Sequence, residues 1–227
     1  MTAEPVRLDR RHRRRQETIE QIVDVAIDVM AETGAGGLSL GEVARRVGIR
    51  TPSLYVYFDS KHALYDAVFA GGWRELDSHL RAVYEGLRQS TDLREVLLGM
   101  ATSIVRWALE HPGQSQLMMW RPVPGYEPSP AAYAPAIDVL GQGRANFAGL
   151  QARGLFPTGA DVDELLRVWT VLTSGVMSQQ MANAPHEPFD KGTFTGTLPT
   201  LVDMYVTQYA PPPPPALSAS SPRRSSP

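Results

Sequence analysis

Cysteine is absent from the 227 residues, which excludes a disulfide framework, a thiolate metal site and a thiol switch. Also missing is any apolar run approaching the ~18 residues of a membrane helix, and no hydrophobic stretch follows the charged N-terminus as a signal peptide would require. A cytoplasmic protein with no membrane partner is therefore expected. Charge of one sign is scarce as well. The net charge is −2, with ten Lys plus Arg against nine acids in Met1–Ala63 and twelve against fifteen beyond. Attraction to a polyanion must then come from local clusters and not from the field of the whole chain. Catalytic patterns are lacking too. There is no HExxH, GxSxG or phosphate loop, and Gly141-Gln142-Gly143 has neither the preceding strand nor the third glycine of a dinucleotide fingerprint. His12, His62, His79, His111 and His186 share no ligand spacing, so neither a metal nor a cofactor is expected, nor an enzymatic activity.

What is present is helical periodicity, most informatively in Leu38–Leu64, LSLGEVARRVGIRTPSLYVYFDSKHAL. Ser39 and Glu42 have the spacing of a capping box, in which the serine caps the helix and the glutamate reaches back to the cap residue's N–H. Leu40, Val43, Ala44 and Val47 then share one face. Gly48 stands where a left-handed turn is wanted, and Pro52 lies close to the first position of a second helix, where no intrahelical N–H bond is lost. Ile49, Leu54 and Phe58 can pack inward, leaving Thr51, Ser53, Tyr55, Val56 and Tyr57 on the outside. Short side chains at the start of a helix in a major groove approach base edges, and tyrosine hydroxyls reach phosphates. Lys61 adds a cation at the next helix start. The pattern is that of a helix-turn-helix reader of DNA.

These residues resemble the TetR family of bacterial transcription regulators, VARRVGIRTPSLYVYFDSKHAL standing beside that family's Gly-Val-Ser, Leu-Tyr, Phe and following Lys; the match covers Gln16 to Val68. The resemblance implies phosphate contacts from Ser39, Tyr55, Tyr57 and Lys61 and base-facing positions at Thr51, Pro52, Ser53 and Val56. Two residues depart from the pattern: Pro52 stands where the family often has glycine, and Tyr57 where histidine is commonest.

An all-α protein of about nine helices is expected. Residues 1–14 read as a basic, disordered arm whose run Arg10, Arg11, His12, Arg13, Arg14 and Arg15 suits phosphate or a minor groove. Residues 15–60 read as a three-helix helix-turn-helix domain, its first helix spanning Arg15 to Thr33 with an apolar stripe of Ile19, Ile22, Val23, Ala26, Ile27 and Met30. Residues 61–209 read as a helical ligand-binding and dimerisation domain. Its first helix runs from Ser60 to Arg88 with Gly71-Gly72 marking either a kink or a packing concession, and others span about 92–110, 117–119, 130–154, 161–182 and 193–209. Residues 210–227, opening with five consecutive prolines after Ala210, have nothing to bury and read as a disordered tail.

Within the second domain Trp107, Met118, Met119, Trp120, Tyr133, Phe147, Trp169 and Met177 stand out. Methionine adapts to irregular shapes and aromatics give broad apolar walls, so they can line a site for a small apolar or amphipathic molecule or simply fill a core. The resemblance implies an effector-binding domain and a homodimer joined through the last two long helices, with Leu165, Trp169, Leu172, Val176 and Leu198, Leu201, Val202, Tyr205 as candidate stripes. Pairing of two readers on a palindromic double-stranded operator would follow. A repressor released by its effector is the leading expectation. An activator or ligand-independent regulator, or a small-molecule binding protein that does not act on DNA, remains open at this stage.

Overall fold

Side-chain caps set where five of the helices begin. Ser39 Oγ accepts the Glu42 N–H at 3.4 Å, Ser60 Oγ that of Ala63 at 3.0 Å and Ser129 Oγ that of Ala132 at 3.2 Å. Asp92 and Asp161 each take two backbone N–H groups. A cap of this kind contributes ~1 kcal/mol by satisfying donors that the helix itself leaves free. The computed structural model describes residues 4–211, and among them are nine α-helices and three single-turn 3-10 helices without any strand. The helices are α1 (Glu4–Thr33), α2 (Leu40–Val47), α3 (Thr51–Leu54), α4 (Lys61–Leu87), α5 (Leu93–Glu110), α6 (Pro112–Trp120), α7 (Pro130–Ala152), α8 (Val162–Asn183) and α9 (Leu198–Tyr209).

The arm expected to be disordered is instead the opening of α1. Helix nucleation is the costly step, and the packed segment from Ile19 onward has already supplied it. Arginine is a good helix former, so Arg10–Arg15 extend the existing helix at little cost. The Thr18 hydroxyl also donates to the Arg14 carbonyl at 2.9 Å. Residues 212–227, most of the proline- and serine-rich tail, lie outside the described residues.

Helices α1, α2 and α3 enclose a small core of Ile22, Ala26, Met30, Val43, Ala44 and Leu54, closed by Leu64 and Val68 from α4. Beyond it α4 packs along α5 and α7, while α8 lies against α5 and α7, with α9 beside α5. Pro135 is accommodated inside α7 near its start. Helix α6 fills the corner between α1, α4 and α5. Two glycines permit this. A Cβ at Gly113 would lie 2.9 Å from the backbone of Met30 and Ala31, and one at Gly72 would lie 2.5 Å from Met118 Sδ. The Gly71-Gly72 pair therefore serves close packing at its second member, and α4 runs unbroken through it.

Most of the stripe expected at a dimer interface faces inward, Leu172 and Leu201 being half-buried. Leu165, Trp169, Val176, Leu198, Val202 and Tyr205 are buried within the chain, and the Tyr205 hydroxyl donates to the Leu165 carbonyl at 2.7 Å. The strongest apolar stripe of each helix was taken by the nearest core, that of its own protomer. Left outside are Val168 and Val171 on α8 and Met204 on α9.

Helix packing yields a paired prediction. Gly113→Val should destabilise the protein by about 1–3 kcal/mol, the usual cost of overpacking, because the obstacle is backbone. Gly71→Ala, where nothing lies within 4 Å of the new methyl, should stabilise it by about 1 kcal/mol. Urea midpoints at constant slope would measure both.

Candidate nucleic-acid interface

Between α2 and α3 the chain turns on Gly48, at φ 80° and ψ 25°, whose N–H reaches back to the end of α2. Helix α3 is one turn long and continues as hydrogen-bonded turns, Val56 N–H donating to Ser53 and Tyr57 N–H to Leu54. This short element buries Leu54 and Phe58, leaves Tyr57 half-buried and turns the rest outward. Thr51, Pro52 and Ser53 are exposed, as are Tyr55 at 49% and Val56 at 69%. Among the described residues neither the Tyr55 nor the Tyr57 hydroxyl has a hydrogen-bond partner. Ser39 is exposed at the start of α2, and Lys61, half-buried, holds its ammonium 5.4 Å from the centre of the Tyr65 ring. All eight residues expected at a DNA surface thus lie on α3, its following turn, or the first residues of α2 and α4.

The capping box closes on one side only. Ser39 caps, but the Glu42 carboxylate turns to Arg45 and Arg46 at 2.6–2.8 Å. Arg46 also forms a two-pronged pair with Glu32 of α1, both contacts 2.6 Å. Two bidentate-capable cations are stronger partners than one backbone N–H. The hydrogen bonds from Arg45 and Arg46 hold the Glu42 carboxyl down at about 2, and Arg46 likewise lowers Glu32.

Sequence reasoning did not foresee how the arm meets the reader. Arg15 donates to the Val56 carbonyl at 3.3 Å and lies 5.7 Å from the centre of the Tyr57 ring. With Arg11, His12, Arg14 and Thr18 it borders a cleft of about 580 Å³ beside Val56 and Tyr57. The available signal was the lack of any helix breaker between Arg10 and Gln16.

Most of the residues expected to contact an effector are packed in the core. Trp107 stacks on His111 with ring centres 4.7 Å apart, Phe147 on Phe156 at 5.6 Å, and Trp169 meets Tyr205 at 5.3 Å. Met118 abuts Gly72, Met177 is buried, and Met119 is half-buried. Trp120 borders a cavity of about 230 Å³ with Gln116 and Met181, while Tyr133 stacks on Phe69 at 6.0 Å. Phe147 and Trp169 share one aromatic group, their ring centres 6.3 Å apart, and Trp107, Met118 and Met177 belong to the same buried core. The buried indole N–H groups of Trp73 and Trp107 have no acceptor among the described residues. Gln180, buried on α8, is committed to structure: it accepts from the N–H groups of Phe194 and Thr195 and donates to the Ala184 carbonyl. No helix among the described residues is long and apolar enough to cross a membrane.

Residues 22–68 match the model for bacterial regulatory proteins of the tetR family, and residues 97–195 match that for a tetracyclin repressor-like C-terminal domain. The HTH-type transcriptional activator FasR of Mycolicibacterium smegmatis is 31% identical over 118 residues, 52% of this chain and 52% of FasR. The chain spans about half the length of the curated relatives it matches. A Rhodococcus sp. RHA1 protein with unknown function superposes with a TM-score of 0.71 at 19% identity, over 86% of this chain and 96% of the other. The regulator FadR of Bacillus subtilis, solved with stearoyl-CoA, gives 0.61 at 14% identity over 83% and 97%.

On acidification, the Glu42 carboxyl, ionised in the fold below its usual range, contributes stability that is present above about 4.5 and is lost as pH falls toward about 2. Glu42→Gln should remove that contribution, so the difference in melting temperature between parent and variant should shrink across this window. An unchanged difference would show that the ion pairs contribute nothing to stability.

Proposed function

The chain belongs to the tetR family of bacterial regulatory proteins, and from this membership we propose that it is a homodimeric transcriptional regulator that binds a palindromic operator and leaves it when a small apolar or amphipathic effector occupies the helical domain. One observation carries the DNA assignment. On a one-turn helix and the turn that follows it, Thr51, Ser53 and Val56 are presented to solvent between tyrosine hydroxyls that have no partner among the described residues and the cations Lys61 and Arg15. Thr51, Pro52, Ser53 and Val56 would face bases, whereas Ser39, Tyr55, Tyr57 and Lys61 would hold phosphates. The α1 extension would add phosphate contacts beside Tyr57. Such contacts raise affinity on all sequences and carry no sequence preference.

Dimerisation is supported by the apolar residues that the fold leaves over. Val171 is 69% and Met204 64% exposed, with Val168 nearby on α8. Between α8 and α9 runs a depression of about 270 Å³ walled by Val171, Leu172, Gly175 and Leu201, into which a partner's side chains can pack. On α7, Ile137 and Leu140 are also exposed. Arg144 of α7 pairs with Asp163 of α8 at 2.6 Å.

Effector control requires that the ligand bind one arrangement of the two readers better than the other. Helix α4 supports this reading, since it starts at Lys61 in the reader and ends in the bundle, roughly 40 Å away at 1.5 Å per residue. A tilt at its far end displaces its near end. The FadR structure holds an amphipathic ligand on a similar fold. Because FasR is named an activator, the direction of control is the point on which a second reading stands, and a reporter downstream of the selected operator decides it.

Selection from random duplexes at physiological salt should recover a palindrome. On that duplex Tyr55→Phe and Lys61→Ala should weaken cognate and random DNA alike, while Thr51→Ala should shift preference among sequences; equal loss on all DNA for all three would remove the base-reading assignment. Val171→Glu combined with Met204→Glu should convert the dimer to monomer in sedimentation velocity without loss of helical circular dichroism. A double variant that still sediments as a dimer would place the interface elsewhere.

A further inference from the structure

The arginines at the start of α1 do not all face the reader in the same way. Arg11, Arg14, Arg15 and Thr18 recur at helical spacing on one face of α1, and with His12 they border the cleft of about 580 Å³ whose other wall is Val56 and Tyr57. No acid lines that cleft. A helix with its side chains is roughly 10–12 Å across, whereas the minor groove of B-DNA is about 6 Å wide. A basic run held in helical form therefore cannot thread that groove as an extended arm would, and it stays at the level of the backbone beside α3.

Arg15 differs from its neighbours in what it holds. The turn that carries Val56 and Tyr57 follows a helix of a single turn, and its backbone bonds run from the Val56 N–H to Ser53 and from the Tyr57 and Phe58 N–H groups to Leu54. No backbone N–H among the described residues reaches the Val56 carbonyl. That acceptor is taken by Arg15, whose Nη2 donates to it at 3.3 Å while the guanidinium lies 5.7 Å from the centre of the Tyr57 ring. The Arg14 side chain, which borders the same cleft, makes neither contact. While the face is wet, an exposed bond of this kind contributes little, because water competes for both partners. DNA lying on the face excludes that water, and in the lower dielectric the same bond is stronger and fixes where the Val56 side chain stands.

We propose that Arg15 is a positioning residue for base reading, acting through the Val56–Tyr57 turn, and that Arg11 and Arg14 are the members of the run that take backbone phosphates. The inference rests on the DNA-binding reading above and divides one charged run into a part that sets sequence preference and a part that sets affinity. Charge does not distinguish the two parts. The difference is the planar fork of Arg15 set against a carbonyl and a ring, a geometry that lysine, a point charge on a flexible stem, does not reproduce.

Equilibrium binding of the full-length protein to the selected operator and to a random duplex, each across a salt series, tests this. Arg15→Lys should leave the slope of log affinity against log salt unchanged and reduce the ratio of operator to random affinity by about fivefold or more, the scale of one lost base-pair preference. Arg14→Ala should do the opposite. It should weaken both duplexes by the same factor, keep their ratio, and make the slope shallower by about 0.9 for each phosphate given up. Both variants should retain the cooperative melt of the parent, since both side chains are exposed. An unchanged ratio in Arg15→Lys, or a loss in that variant equal on both duplexes, would overturn the positioning role. A gain in affinity from an A·T tract placed beside the operator, abolished by Arg11→Ala, would show that the run enters the minor groove and would overturn its assignment to phosphates. Failure of the parent to prefer any duplex would instead remove the DNA-binding reading, and the proposal with it.

Discussion

The hydroxyl of Tyr65, a fully buried residue on α4, donates to the carbonyl of Ala35 at 2.8 Å, and burial raises the phenol's pKa so that the donor stays protonated. The N–H of the same Ala35 is accepted by Gln116 of α6 at 3.3 Å. The turn that follows α1 is thereby held through its carbonyl by α4 and through its N–H by α6. A third segment joins at this point. Tyr126, in the loop between α6 and α7, packs on Tyr65 with ring centres 5.0 Å apart and donates to Asp66, as does the Ser129 N–H. Removing one partner of such a buried pair leaves the other unsatisfied at a cost of about 1–3 kcal/mol. The N-terminal helices and the bundle are thereby tied together at α4.

Within the reader, charge is distributed by a second constraint. Glu32 and Glu42 neutralise the two arginines of α2, and α2 packs against α1 and α3. The exposed hydroxyls of α3 and its following turn, and Lys61, lie outside this network. With a net charge of −2, attraction to a polyanion depends on such local clusters of cations and not on the field of the whole chain.

In the bundle, apolar side chains had three destinations: the protomer core, a partner, or a ligand. Burial was decided by the number of neighbours each helix has. Helix α8 lies against α5, α7 and α9, so Leu165, Trp169 and Val176 were drawn inward and only the thinner stripe with Val168 and Val171 stayed outside. Trp107 and Phe147 were likewise taken into aromatic packing groups. The α4–α5 seam kept polar groups because His79 and Ser103 satisfy each other there.

Local physics made most of the elements legible in the sequence. Capping serines and aspartates, Pro52 and Pro130 at helix starts, and Gly34 and Gly48 at positive φ are rules of the single residue and its nearest turn, so helix starts and the outward face of α3 could be read directly. The tertiary structure alone decided matters of competition between distant groups. Glu42 had a backbone N–H and two arginines to choose from, the arm had the option of continuing a helix already nucleated elsewhere, and each amphipathic helix had several faces to cover. Which partner wins depends on what the fold brings within a few ångströms, and a periodic pattern along one chain does not contain that distance.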